Sequence, residues 1–239
     1  MTRRLLALLG LVALTALFLP ATSAQSATPT CFGKTPNLVG TESNDWIALR
    51  NGVVDIVWAG GGDDYIFGPA EGGPPTDVGD WICGGPGNDR VFGSAGPDHV
   101  NGGDQDDEIE GWRGADILQG NAGNDRVRDD SIDSNDTKID TLRGGIGNDI
   151  VASGWGADKL YGEGGDDLIQ DWECSGPTVL NGGPGNDVLE SYWSSYDGMS
   201  CVGYGTGDKA DGGTGTDYGY FTRTDTWVGV EKVSFPTTR

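Results

Sequence analysis

Aspartate recurs in this sequence at a fixed phase, and that phase is where chemistry would reside. Residues 84–128 divide without remainder into five nine-residue units: GGPGNDRVF, GSAGPDHVN, GGDQDDEIE, GWRGADILQ and GNAGNDRVR. Each has Gly at position 1, Asp at position 6 and an aliphatic residue at position 8. The position-6 residues Asp89, Asp98, Asp107, Asp116 and Asp125 supply carboxylate oxygens, and the glycines expose backbone carbonyls. Stacked, such units offer an oxygen-only donor set suited to a hard cation. Other chemistries find less material. His99 is the single histidine, at an outward position 7, with no Cys or second His at ligand spacing, and it reads as a solvated surface residue. Paired acids such as Asp106 and Asp107 could imitate the carboxylates of a hydrolase, but they fall on the metal phase. No Gly-x-Ser-x-Gly, His-Glu-x-x-His or phosphate loop occurs.

The elements that must hold these aspartates follow from the same count. Carried outward, position 6 falls on Asp45, Asp55, Asp64, Asp80, Asp89, Asp98, Asp107, Asp116, Asp125, Asp140, Asp149, Asp158, Asp167, Thr178, Asp187, Asp208, Asp217 and Thr226. Two places further on stands Val, Ile or Leu throughout, from Ile47 to Val228, with only Ala210 and Gly219 departing. A β-branched-rich position at fixed phase is what a buried strand needs. The expected fold is all-β: a right-handed parallel β-roll in which two units make one turn, with position 8 inward and positions 7 and 9 outward. The chain contains 43 glycines, a composition that ordinarily signals disorder, but a disordered linker has no reason to keep an aliphatic residue two places after each Asp.

Successive turns alternate sides, so the register sorts them onto two edges. The first ends its loops at Asp45, Asp64, Asp89, Asp107, Asp125, Asp149, Asp167, Asp187 and Asp217, usually with Asn or Asp at position 5. The second ends at Asp55, Asp80, Asp98, Asp116, Asp140, Asp158, Thr178, Asp208 and Thr226, and there only the loops before Asp98, Asp116 and Asp158 keep a passable glycine pattern. The longer spacings, ending at Asp80, Asp140, Thr178 and Asp208, also fall on this edge. The pattern predicts a regular metal-binding edge and a decorated one, each insertion enlarging a turn without adding a strand. Asp98, Asp116 and Asp158 join the first-edge aspartates as expected ligands.

These units resemble the G-G-x-G-x-D-x-U-x repeat of the RTX, or hemolysin-type, calcium-binding family. The resemblance covers roughly residues 36–235. It implies several Ca²⁺ ions, each between loops one full turn apart on the same edge, such as Asp89 with Asp107, Asp107 with Asp125, and Asp149 with Asp167. Carboxylates on strands about 4.8 Å apart repel by roughly 3–4 kcal/mol at an effective dielectric near 20. The metal-free roll is therefore expected to be marginal, with calcium binding and folding as one event.

The remaining features concern context. Arg3 and Arg4 precede an apolar run from Leu5 to Leu19, and small residues follow. Residues 1–24 read as a signal peptide, residues 25–35 as an N-terminal extension, and 36–235 as the roll with a capping strand at Trp227–Phe235. The expected location is secreted and extracellular, without membrane insertion. The formal net charge of −22 disfavours nucleic acid and favours cations. Four cysteines suggest two disulfides. Cys174 and Cys201 lie in adjacent second-edge loops, which leaves Cys31 to pair with Cys83. Trp112, Trp155, Trp172 and Trp193 map to the second edge. They either cover the coil and pack beneath inserted loops or form a surface for glycans or cells. The first functional reading is a secreted calcium-binding protein and not an enzyme; adhesion through that tryptophan-bearing edge is the alternative, and an unrecognised secreted hydrolase the third.

Overall fold

The computed structural model describes residues 29–68, 78–129, 138–172, 176–191, 208–221 and 225–234. Among these residues, twenty strands alternate between two ten-stranded parallel sheets. Odd-numbered strands form one sheet, running from β1 (Leu38–Val39) through β5 (Trp81–Pro86), β7 (His99–Asp104) and β9 (Ile117–Ala122) to β19 (Thr226–Val228). Even-numbered strands form the other, from β2 (Trp46–Ala48) through β6 (Arg90–Phe92) and β8 (Glu108–Glu110) to β20 (Lys232–Ser234). This is a parallel β-roll.

Packing follows the nine-residue phase. In each sheet the position-8 residues pair with one another from turn to turn, as in Ile82 with Val100 and Val91 with Ile109. These four side chains are fully buried, and they belong to a continuous core cluster running from Leu49 to Phe221. Each contributes about 1.5–3 kcal/mol of apolar burial, which only a neighbouring turn can supply. Strands on either side of every longer spacing still pair in register: Val57 with Ile82, Leu118 with Leu142, Leu160 with Leu180, and Leu180 with Ala210. At Gly219, where the aliphatic residue is missing, a Cβ would lie 2.2 Å from the ring of Phe221. That ring, fully buried, takes the vacant volume and stacks on Trp227 at 5.5 Å.

The C-terminal end departs from the expected count. Ala210 pairs with Trp227, not Val228, so position 6 of that turn is Asp225 and not Thr226. The Asp225 carboxylate accordingly accepts the Asp208 N–H at 3.2 Å. The loop closes one residue sooner than nine, which the sequence disguises because Trp227 and Val228 are both apolar. The tail is also more than one strand, since β19 and β20 extend one sheet each.

At the other end a Cys31–Cys83 disulfide, with Cα atoms 5.7 Å apart, ties the N-terminal segment to β5. It brings Phe32 edge-on to Trp81 and places Lys34 over the same indole. His99 stacks on Trp81 at 3.9 Å and is half-buried, so it is not the solvated residue expected. Cys174 and Cys201 lie outside the described residues.

Candidate metal centre

The aspartates of position 6 point into the turns and, apart from the half-buried Asp45, are buried. On the first edge, Asp64 through Asp217 are at most 3% exposed. Their burial has a local cause. One carboxylate oxygen of each replaces a backbone acceptor that the tight turn cannot provide. The N–H of Asp89 donates to Oδ1 of Asp107 at 2.8 Å, and the N–H of Asp107 donates to Oδ1 of Asp125 at 2.8 Å. The same bond links Asp45 to Asp64, Asp64 to Asp89, Asp125 to Asp149, Asp149 to Asp167, Asp167 to Asp187, and Asp187 to Asp217. Beyond Asp217 the longer Glu231 side chain takes over as acceptor. An aspartate pair expected to be joined only through an ion is thus already joined by a hydrogen bond.

Position 5 carries a second ladder running the opposite way. The N–H of Asn88 donates to Oδ1 of Asp63, that of Asp106 to Asn88, and that of Asn124 to Asp106. Asn148, Asp166, Asn186 and Thr216 continue it. Every member needs a side-chain oxygen on a short stem, which explains the Asn/Asp preference there.

What remains is the second oxygen. Oδ2 of Asp64, Asp89, Asp107, Asp125, Asp149, Asp167, Asp187 and Asp217 is buried and has no hydrogen-bond partner. Leaving a buried acceptor unsatisfied costs about 1–3 kcal/mol, more when it is charged. The surrounding backbone is shaped around that atom. A Cβ on Gly84 would lie 2.2 Å from Oδ2 of Asp89 and 2.6 Å from the carbonyl oxygen of Gly102 on the next turn. The glycine at position 1 thus keeps open a space bordered by a carboxylate and a carbonyl oxygen. Left-handed backbone at positions 2 and 4 completes the loop, as at Gly85 (φ 116°) and Gly87 (φ 146°). The conformation is demanded strongly enough that Asn121 (φ 83°) and Glu163 (φ 75°) also adopt it. Hard oxygen donors, orphaned and repeated along one edge, fit Ca²⁺.

Electrostatics agree with the geometry. Burial pushes the carboxyl of Asp107 up to about 8, those of Asp89, Asp125 and Asp167 to about 7, and those of Asp149 and Asp187 to about 6. Hydrogen bonds from the preceding aspartate N–H oppose the shift without cancelling it. Asp64 and Asp217 are raised for the same reason.

The second edge has the same Oδ1 ladder, from Asp55 to Asp80, Asp98, Asp116, Asp140 and Asp158, and at some of its positions protein donors fill Oδ2. At Asp98, Oδ2 accepts the backbone N–H and the hydroxyl of Ser94, at 2.6 and 3.2 Å. At Asp208 the Ser191 hydroxyl takes that place. Asp55 carries a resident cation, because the Arg50 guanidinium bonds its Oδ1 and the Arg50 N–H its Oδ2. Asp45, at the start of the first edge, is likewise occupied, since its Oδ2 accepts both the N–H and the hydroxyl of Thr41. Protein donors thus hold both oxygens of Asp98 and Oδ2 of Asp45, two of the expected ligands. Asp116 and Asp158 stand in the second-edge ladder, with Oδ1 of each accepting the N–H of the preceding aspartate.

Two residues escaped the sequence reading. Arg50 was hidden by a ten-residue spacing. Asp129 occupies position 1, where glycine stands in the five units of residues 84–128, and its carboxylate oxygen lies with those of Asp140 and Asp158 in a buried group within 4.8 Å of one another. Burial and the facing carboxylates of Asp140, Asp116 and Asp158 push the Asp129 carboxyl up to about 10. Reading position 1 in phase would have flagged this residue. Of the second-edge tryptophans, Trp112 and Trp155 are half-buried, Trp172 is 37% exposed, and Trp193 lies outside the described residues. Among the described residues the most exposed ring is instead Trp46, 79% exposed, beside Tyr65 on the outer face of the even-strand sheet.

The family whose description is "RTX calcium-binding nonapeptide repeat (4 copies)" matches residues 54–68, 84–118, 113–131, 134–169 and 175–193. The chain belongs to this family of RTX-type calcium-binding repeat proteins. No curated protein matches it.

Proposed function

We propose that the protein is a secreted calcium-binding repeat protein whose fold is completed by Ca²⁺ held along the first edge. The observation that carries this reading is the unbroken series of buried, unpartnered Oδ2 atoms from Asp64 to Asp217. Asp64, Asp89, Asp107, Asp125, Asp149, Asp167, Asp187 and Asp217 supply the carboxylates, and the position-1 glycines leave room for the ions. Bound calcium supplies positive charge where burial otherwise disfavours ionised carboxylates, so metal binding stabilises the folded chain by mass action. The Cys31–Cys83 disulfide supports an oxidising, extracellular setting, as does the export-like segment at residues 1–24. The role is structural and binding in kind: the repeated groups are spread evenly along an edge and do not converge on one reacting position.

Equilibrium dialysis of the purified protein against buffered Ca²⁺, with excess Mg²⁺ present, tests the reading. Several calcium ions retained per chain are expected. Retention of none would defeat it.

A further inference from the structure

Position 1 differs between the edges in a way that opens a different kind of site. On the first edge it is Gly at residues 40, 84, 102, 120, 144, 162, 182 and 212, and Ala at 59. On the second edge it is Leu49, then Gly68, Gly93 and Gly111, and then Asp129, Ser153, Asp171 and Ser191, the last four all buried. A side chain there is directed at the position-6 carboxylate of its own unit. A Cβ on Gly111 would lie 2.6 Å from Oδ2 of Asp116, and the Ser191 hydroxyl bonds Asp208.

Where Asp171 takes position 1, Thr178 replaces the aspartate at position 6, so two acids do not face each other. Asp129 has no such relief. It faces Asp140 in its own unit and Asp158 one turn on, with ligand oxygens of all three within 4.8 Å of one another. Asp129, Asp140 and Asp158 are each no more than 2% exposed. Oδ1 of Asp129 has no hydrogen-bond partner. Beside it in register, since the Asp129 N–H donates to the Ala152 carbonyl, stands Ser153. The Ser153 hydroxyl is fully buried and also without a partner, although its counterpart Ser191 finds one.

We propose that Asp129, Asp140 and Asp158 form a buried cation site inside the second edge, taking one calcium-sized divalent ion through side-chain carboxylates. It is distinct from the first-edge column, where glycine loops border the orphaned oxygens. Ligand oxygens within 4.8 Å of one another can share one divalent ion, and opposed ligands of Ca²⁺ lie up to about 5 Å apart. Ser153 offers a neutral oxygen at the next register position. The nonapeptide pattern does not include this site, because it depends on an acid where the pattern has glycine.

The test counts calcium ions bound per full chain, by dialysis, in the wild type, Asp129→Asn and Asp129→Gly. The first variant keeps the side-chain shape, and the second restores the residue found at positions 93 and 111, so both are compatible with the roll. Each is expected to bind one ion fewer than the wild type while retaining the rest. Counts equal to wild type in both variants would overturn the site and leave a proton shared between Asp129 and Asp140 as the reason for the cluster. If Asp107→Asn lowers the count and the Asp129 variants do not, this inference fails alone. A wild type that binds no calcium defeats the first-edge reading as well.

Discussion

The two edges of the roll are built on one hydrogen-bond scheme and diverge at the second carboxylate oxygen of some of their aspartates. On both, Oδ1 of an aspartate accepts the N–H of the aspartate one turn earlier, as Asp107 does for Asp89 and Asp116 for Asp98. That bond is made by the protein alone and explains why aspartate fills position 6 on the second edge even where the glycine pattern has decayed. Oδ2 is where they part. Along the first edge it is left without a partner from Asp64 to Asp217. On the second edge, protein groups engage it at Asp55, Asp98 and Asp208. The presence of aspartate at position 6 therefore does not by itself identify a calcium ligand.

The largest expected effect on this contrast comes from removing one first-edge charge. Asp107→Asn keeps an Oδ1 acceptor for Asp89 but weakens the ion positions shared with both Asp89 and Asp125. At free calcium 100-fold above Kd each ion contributes about 2.7 kcal/mol, so about 5 kcal/mol of calcium-dependent stability should be lost. Asp98→Asn, whose oxygens already have protein donors, should cost about 1 kcal/mol and should not depend on calcium. Urea denaturation of both variants with calcium and with chelator checks this, and equal calcium-dependent losses would erase the distinction between the edges.

A smaller effect is the response to pH. The first-edge carboxyls rise from an ordinary value of 3.8 to about 6–8 in the fold. Between those values the folded chain binds more protons than the unfolded chain, so metal-free stability falls as pH rises from about 4 to 8. With calcium the trend should reverse between about pH 6 and 8, because the ion competes with those protons. Denaturation midpoints at pH 5 and pH 8, in chelator and in calcium, read the sign directly. A metal-free protein more stable at pH 8 than at pH 5 would contradict the burial of these groups.

Much of this architecture was legible because its period is strict. Ile82, Val91, Val100 and Ile109 announce the core, and Asp89 through Asp125 announce one loop column. The reading slipped where period and chemistry stopped agreeing. Beyond Asp217 the loop shortens by one residue, and two adjacent apolar side chains hid the slip, so Asp225 and Trp227 were missed. Asn or Asp at position 5 was visible, but its purpose was not, because a ladder linking residues 18 or more apart exists only once the turns are stacked. Arg50 and Asp129 were overlooked for a related reason. Arg50 meets Asp55 inside a loop one residue longer than the period, and Asp129 acquires meaning only from Asp140 and Asp158, which the folded coil brings to face it.

Far-UV circular dichroism of the purified protein, from a chelator-treated start and titrated with Ca²⁺ beside a Mg²⁺ control, tests the central claim most directly. The unpartnered first-edge oxygens predict a cooperative gain of β signal with Ca²⁺ and little with Mg²⁺. A metal-free spectrum already folded, and unchanged by calcium, would show that the core, the Oδ1 ladders and the Cys31–Cys83 bridge suffice, and would contradict a fold completed by calcium.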